Sequence, residues 1–227
     1  MESILSKISI MLVPALLAVT VHEVSHGYIA DKLGDPTARL LGRLTFNPIK
    51  HLDPIGTLAV LFFGFGWAKP VPVNFGNMQQ PKKGMIAVAL AGPASNLFLA
   101  GLFALLLHGL ALIPEDRVST QMTMIVEPIS LMAGFGLYIN IILAVFNMIP
   151  IPPLDGGMVL SGLLPPKQAA FLSKIEPFGF IVLLIVIFYT NIWSAVLGPI
   201  IFAIVGVMAG QQAVVVNQSM RFLFGSM

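Results

Sequence analysis

Cysteine is absent from the 227 residues. That excludes disulfides and thiolate metal ligands, so any metal must be held by histidine, aspartate or glutamate. Charge is scarce as well: Asp, Glu, Lys and Arg make up 10% of the chain, against about 25% in soluble domains. The net charge of +2 comes from thinly scattered residues rather than a basic patch, which argues against a nucleic-acid partner. There is no internal repeat, no low-complexity tract and no room for a separate soluble domain. What fills the space is apolar. Residues of that kind reach 57%, where about 45–50% is usual in soluble proteins, and the composition is that of an integral membrane protein.

Four stretches are long and apolar enough to cross a bilayer: about 4–30, 85–113, 129–149 and 178–210. As a helix, the first would extend roughly 40 Å, more than the hydrocarbon thickness. It is read as a span rather than a cleaved leader, because its positive start is Lys7 alone and the run continues through Ala30. The last stretch is long for one span and has Asn191 in its middle, so it reads as either one bent helix or a tight hairpin. Between the first two spans, IGTLAVLFFGFGW is too short to cross and suits a re-entrant or interfacial segment. The KPVPVNF that follows alternates proline with valine and should be extended. The expected fold is therefore an all-α polytopic membrane protein, with about four to six transmembrane helices and a short re-entrant or β-hairpin segment after the first.

Loop charge gives an orientation. The 31–84 region carries Lys32, Arg39, Arg43, Lys50, Lys69, Lys82 and Lys83, and the 164–177 loop carries Lys167 and Lys174. The 114–128 loop offers Arg117 alone beside Glu115, Asp116 and Glu127. By the positive-inside rule the first two face the cytosol and the third lies outside.

At the cytosolic end of the first span stands HEVSH, an instance of H-E-x-x-H. His22 and His26 are four residues apart, so they share one helix face and can hold one metal ion; Glu23 lies near enough to act on a bound water without being a ligand. Ionisable groups at membrane depth are costly and are by default functional. A catalytic zinc needs a third protein ligand and an open position. Charge topology disfavours Glu127 and His108, while His51, Asp31, Asp35 and Asp53 follow in an aqueous loop. Glu176 also remains on the list. Asp155 stands apart in NMIPIPPLDGG: Pro150, Pro152 and Pro153 stop a helix, and Gly156 and Gly157 permit a tight turn at a depth similar to that of the histidines.

HEVSH near the end of one span, with FNMIPIPPLDGG after a later one, resembles the site-2 protease family of intramembrane zinc metalloproteases. The AGPASN at 91–96 and GWAKPVPVN at 66–74 also resemble that family, so the similarity covers roughly residues 10–165. It implies one Zn2+ per chain held by His22, His26 and Asp155, with Glu23 as base and Asn147 steadying the substrate or its oxyanion. The chain departs from many relatives in carrying neither a PDZ domain nor a CBS pair. It would form a single membrane-embedded metalloprotease domain over 1–227, with a catalytic core at about 4–165.

Gly136, Asn140, Ala144 and Asn147 recur as a small and polar stripe of the kind that forms helix–helix seams. Asn140 is therefore expected in an interhelical hydrogen bond. Asn96, beside the small residues Ala87, Ala91 and Ser95, reads equally as part of a seam or as a support for the site. Val71 and Val73 carry backbone N–H groups that Pro70 and Pro72 lack, and so could pair with a substrate strand; a structural hairpin is the alternative. The expected activity is zinc-dependent hydrolysis of peptide bonds within or near transmembrane segments of other proteins, in regulated proteolysis or clearance of signal-peptide remnants. The expected setting is the lipid bilayer of a prokaryotic plasma membrane, with the active site toward the cytosol. The competing reading is a metal-ion or proton transporter using the same His, Glu and Asp cluster; it lacks the internal symmetry such a protein would show. The sequence does not fix an oligomeric state.

Overall fold

The computed structural model describes residues 4–63, 66–114 and 119–225. Gly64 and Phe65 of the short apolar stretch, and Glu115, Asp116 and Arg117 of the acidic loop, lie outside the described residues. Nine α-helices are described: α1 (Ile4–Lys32), α2 (Thr37–Leu40), α3 (Pro54–Phe63), α4 (Pro81–Leu110), α5 (Thr120–Asn147), α6 (Asp155–Leu163), α7 (Pro166–Tyr189), α8 (Gly198–Ala209) and α9 (Ala213–Phe224). No strand occurs among the described residues. Helices α1, α4 and α5, and the run Trp193–Phe224 that contains α8 and α9, are each long and apolar enough to cross a membrane. A fifth candidate is α7, whose halves Pro166–Gly179 and Ile181–Ile187 meet at a 73° bend. The protein is an all-α polytopic membrane protein.

Several boundaries differ from expectation for local reasons. Helix α5 starts at Thr120 rather than near 129, because Pro128 is accommodated inside it. Proline likewise sits inside α1 (Pro14), α4 (Pro93) and α7 (Pro177); neighbouring groups in a membrane helix can satisfy the freed carbonyls. The apolar run 178–210 is not one continuous helix. Helix α7 begins at Pro166 and ends at Tyr189, Asn191 lies in the break, and a π-helical turn at Trp193–Leu197 leads into α8. The short stretch after α1 is a ten-residue helix, α3, followed by an extended strap. One isolated antiparallel bridge, Leu52 to Ala68, stands where a β-hairpin was expected. Pro70 and Pro72 deny the strap the alternate donors a ladder needs.

The chain forms two compact units. One comprises residues 1–18, 96–145 and 193–227, with Leu107, Leu137, Ile141 and Ile201 fully buried in it. Its polar seam joins three helices: Asn96 Nδ2 donates to Ala18 O at 3.2 Å and to Asn140 Oδ1 at 2.9 Å, and Asn140 Nδ2 donates to Gly136 O at 2.8 Å. Gly136 also leaves the space that the Phe103 ring occupies, since a Cβ there would lie 2.7 Å from two ring carbons. The other unit comprises residues 19–95 and 146–192. It contains the HEVSH end of α1, the strap, the first half of α4, α6 and α7.

A candidate metal centre

His22 and His26 lie one turn apart on α1, and their Nε2 atoms approach to 3.0 Å. The rings meet edge to face, with centroids 4.6 Å apart. Asp155 is the first residue of α6, a position where the helix dipole favours a carboxylate. Its Oδ2 lies 3.2 Å from His22 Nε2 and its Oδ1 lies 3.3 Å from His26 Nε2. Among the described residues these three side chains form the one cluster of metal-binding types whose ligand atoms converge.

The turn that carries Asp155 is built by absence of side chains. A Cβ on Gly156 would sit 2.4 Å from Met148 O, and one on Gly157 would sit 2.5 Å from Pro152 N. The two glycines thus let α6 start directly against the 148–154 loop, which contains the cis peptide Pro152–Pro153.

These residues fit a zinc ion. Zinc–ligand bonds of about 2.0–2.1 Å in tetrahedral array place ligand atoms about 3.3–3.4 Å apart, within a few tenths of the 3.0–3.3 Å seen. Asp155 Oδ2 is buried with His22 Nε2 at 3.2 Å and accepts no well-aligned hydrogen bond, an arrangement that a cation shared by the carboxylate and the two rings would satisfy. His26 Nδ1 lies 2.7 Å from Val88 O. Because a carbonyl only accepts, Nδ1 carries the proton and donates it, which leaves the Nε2 lone pair free for a metal. Gly92 of α4 lies against the rings: a Cβ there would be 2.5 Å from His26 Nε2 and 2.6 Å from His22 Nε2. Gly92 is the residue the sequence reading missed, although it lies in the AGPASN stretch.

Glu23 is partly buried, and its Oε2 accepts a hydrogen bond from the Val71 N–H at 2.8 Å. That amide, expected to face a substrate strand, is therefore used within the chain. Val73 packs its side chain against Ala30, Met78 and Val88. Asn147 closes α5 eight residues before Asp155 and is partly buried. Asn96 and Asn140 are fully buried and bond each other across the α4–α5 seam. The remaining polar candidates have other work. Asp31 pairs with Arg39 at 2.9 Å, Asp53 caps α3 through Gly56 N at 2.8 Å, and His51 Nε2 lies 2.8 Å from Thr45 O.

Residues 10–189 match the model of Peptidase family M50. The chain is 41% identical over 202 residues to YwhC of Bacillus subtilis, provisionally named a zinc metalloprotease; the match covers 88% of this chain and 89% of that one. It is 28% identical over 177 residues to Rip2 of Mycolicibacterium smegmatis, named in the same way, covering 76% and 64% of the two chains. Against MJ0611 of Methanocaldococcus jannaschii, again so named, identity is 34% over 142 residues, or 61% and 62% of the two chains. No solved structure matches. The chain belongs to peptidase family M50, the site-2 protease family, and is a membrane-embedded, zinc-dependent metalloendopeptidase.

Proposed function

We propose that the substrate is a transmembrane segment of another protein, cut within or near the bilayer during regulated intramembrane proteolysis or removal of a signal-peptide remnant. The observation that carries the proposal is the convergence of His22, His26 and Asp155 at 3.0–3.3 Å, with Glu23 one residue from the first histidine on a membrane-length helix. In this proposal the three converging residues hold zinc, which when bound supplies Lewis acidity toward a water and a peptide carbonyl. Glu23 takes a proton from the attacking water and returns it to the leaving amine. Its Oε2 is held by Val71 N–H, and its Oε1 is the oxygen left for that transfer. Asn147 contributes an amide donor toward the carbonyl oxygen as negative charge develops there.

A helical substrate hides its carbonyls in its own hydrogen bonds, so it must unwind locally before attack. The strap at 69–74 is the element proposed to receive the unwound segment, through Val73 N–H and the carbonyls of residues 70–73. The site opens toward the cytosolic side of a plasma membrane, which the excess of Lys and Arg in 31–84 and 164–177 supports. The whole of 1–227 acts as one protease domain. Glu23→Gln should retain one zinc per chain and lose cleavage, so that membrane-segment fragments found with the parent are missing in its membranes. A fully active Glu23→Gln, or activity that survives stripping of zinc by a chelator, would reject the proposal.

A further inference from the structure

Two carboxylates, one on α1 and one just beyond its end, each accept a backbone N–H from the same short strap. Val71 N–H donates to Glu23 Oε2 at 2.8 Å, and Asn74 N–H donates to Asp35 Oδ2 at 2.6 Å. Pro70 and Pro72 have no N–H, so of the amides from 70 to 74 two of three are committed to carboxylates.

The strap's course is prepared on α1. Glu23, Gly27 and Ala30 fall at i, i+4 and i+7 on one face of that helix. A Cβ on Gly27 would lie 2.8 Å from Val71 Cγ1, so the missing side chain is what admits Val71. Two residues on, Val73 packs against the cluster that Ala30 forms with Met78 and Val88. At the end of the run Asp35 takes hold. It is fully buried, yet its carboxylate is held in the charged form by a set of donors. Oδ1 accepts from Thr37 N at 3.2 Å, from Thr37 Oγ1 and from Asn77 Nδ2 at 2.7 Å, while Oδ2 accepts from Asn74 N alone. Burial pushes the Asp35 carboxyl up, and these four hydrogen bonds outweigh it, leaving the group below the ordinary carboxylate value.

We propose that Asp35 is a positioning residue for the base: by holding Asn74 N–H it fixes the strap along α1, so that Val71 N–H clamps one oxygen of Glu23 and keeps that carboxylate turned away from the metal ligands. The inference rests on the role given to Glu23 above. Without the clamp, Glu23 would be free to swing toward the cation as a further ligand, which would close the open position that a catalytic site needs.

The strap's composition supplies a direct measurement. Amide hydrogen exchange of a fragment spanning 69–74, whose second residue is Pro70, reports on Val71, Val73 and Asn74 alone. In the full-length chain in lipid nanodiscs, the Val71 and Asn74 amides should exchange slowly. In Asp35→Asn, whose new amide presents a donor to the Asn74 N–H, both should exchange quickly while zinc stays at one per chain. On a fluorogenic polypeptide containing one apolar segment, kcat should fall roughly ten- to a hundredfold with KM within about twofold. Protected Val71 in Asp35→Asn, or unchanged kcat, would overturn the proposal. Should Asp35→Asn not fold, replacing the Asn74 peptide N–H by an ester oxygen removes that single bond, and the same outcomes decide. Glu23→Gln separates the two readings. If that variant is inactive while strap exchange is indifferent to Asp35, the positioning role alone fails; if it cleaves normally, the protease assignment of Glu23 fails instead.

Discussion

Gly92→Ala adds one methyl group at the place where the metal-binding atoms meet. Its Cβ would lie 2.5 Å from His22 Cε1, 2.5 Å from His26 Nε2 and 2.6 Å from His22 Nε2. Carbon and nitrogen at rest in contact stand about 3.5–4.0 Å apart, so something must move by about 1 Å. The rings cannot both yield cheaply. His26 is tethered through Nδ1 to Val88 O at 2.7 Å, and both Nε2 atoms face Asp155 at 3.2–3.3 Å. Overpacking of this kind costs about 1–3 kcal/mol of stability. A larger effect is expected on zinc, because a ring shift of about 1 Å is half the length of a zinc–nitrogen bond. Zinc affinity should fall at least as far as it does for losses beside a metal ligand, about 10- to 100-fold. Competition with a chromogenic chelator would read the affinity, and a thermal midpoint would read the stability. Gly109→Ala is the control: it lies in the same helix, with nothing within 4 Å of its added Cβ. If Gly92→Ala bound zinc as tightly as Gly109→Ala, the account of the site given by these distances would be wrong.

Gly157→Ala should act on the third side chain through the backbone. Its Cβ would meet Pro152 N at 2.5 Å, pushing the start of α6 off the 148–154 loop, and zinc affinity should again drop about 10- to 100-fold in the chelator competition. Asn140→Leu should leave the Asn96 amide short of a partner in a fully buried seam, at about 1–3 kcal/mol. It should lower the thermal midpoint while zinc stoichiometry stays at one; a loss of zinc would show that the seam does more than join helices. Asp35 sets a pH dependence. Its carboxyl is held below the ordinary value of 3.8, so the stability it contributes is present above that pH and is lost as the pH falls through its folded-state value. Asp35→Asn lacks this contribution, and the gap between its thermal midpoint and that of the parent should narrow on acidification below 3.8; a constant gap would contradict the depressed carboxyl.

The parts of the site legible in the sequence are those encoded locally. The pair His22 and His26 is a statement about helical period, and Asp155 is announced by prolines that stop α5 and glycines that permit the next turn. Helix limits were less legible where proline is tolerated: Pro128 lies inside α5, and Pro177 lies inside α7. What could not be read is tertiary. Val71 and Glu23 are 48 residues apart, and the alternation of proline and valine says that one amide is special without saying what takes it. Asn140 was expected in an interhelical bond, and the seam supplies it; that Asn96 joins it, and that Ala18 O is the third party, depends on how α1, α4 and α5 are packed. Gly92 was visible only as a small residue in AGPASN, because a glycine gives no sign of whether another helix or two imidazoles occupy the space beside it.

The separation of Asp155 from the histidines has a consequence in time. His22 and His26 lie on α1, whereas Asp155 follows His26 by 129 residues (155 − 26). At synthesis rates of about 5–20 residues per second, roughly 6 to 26 s pass before the carboxylate exists. Throughout that interval the nascent chain holds two members of the converging cluster and lacks the third, so the three-residue geometry at 3.0–3.3 Å cannot exist until the loop before α6 has been made.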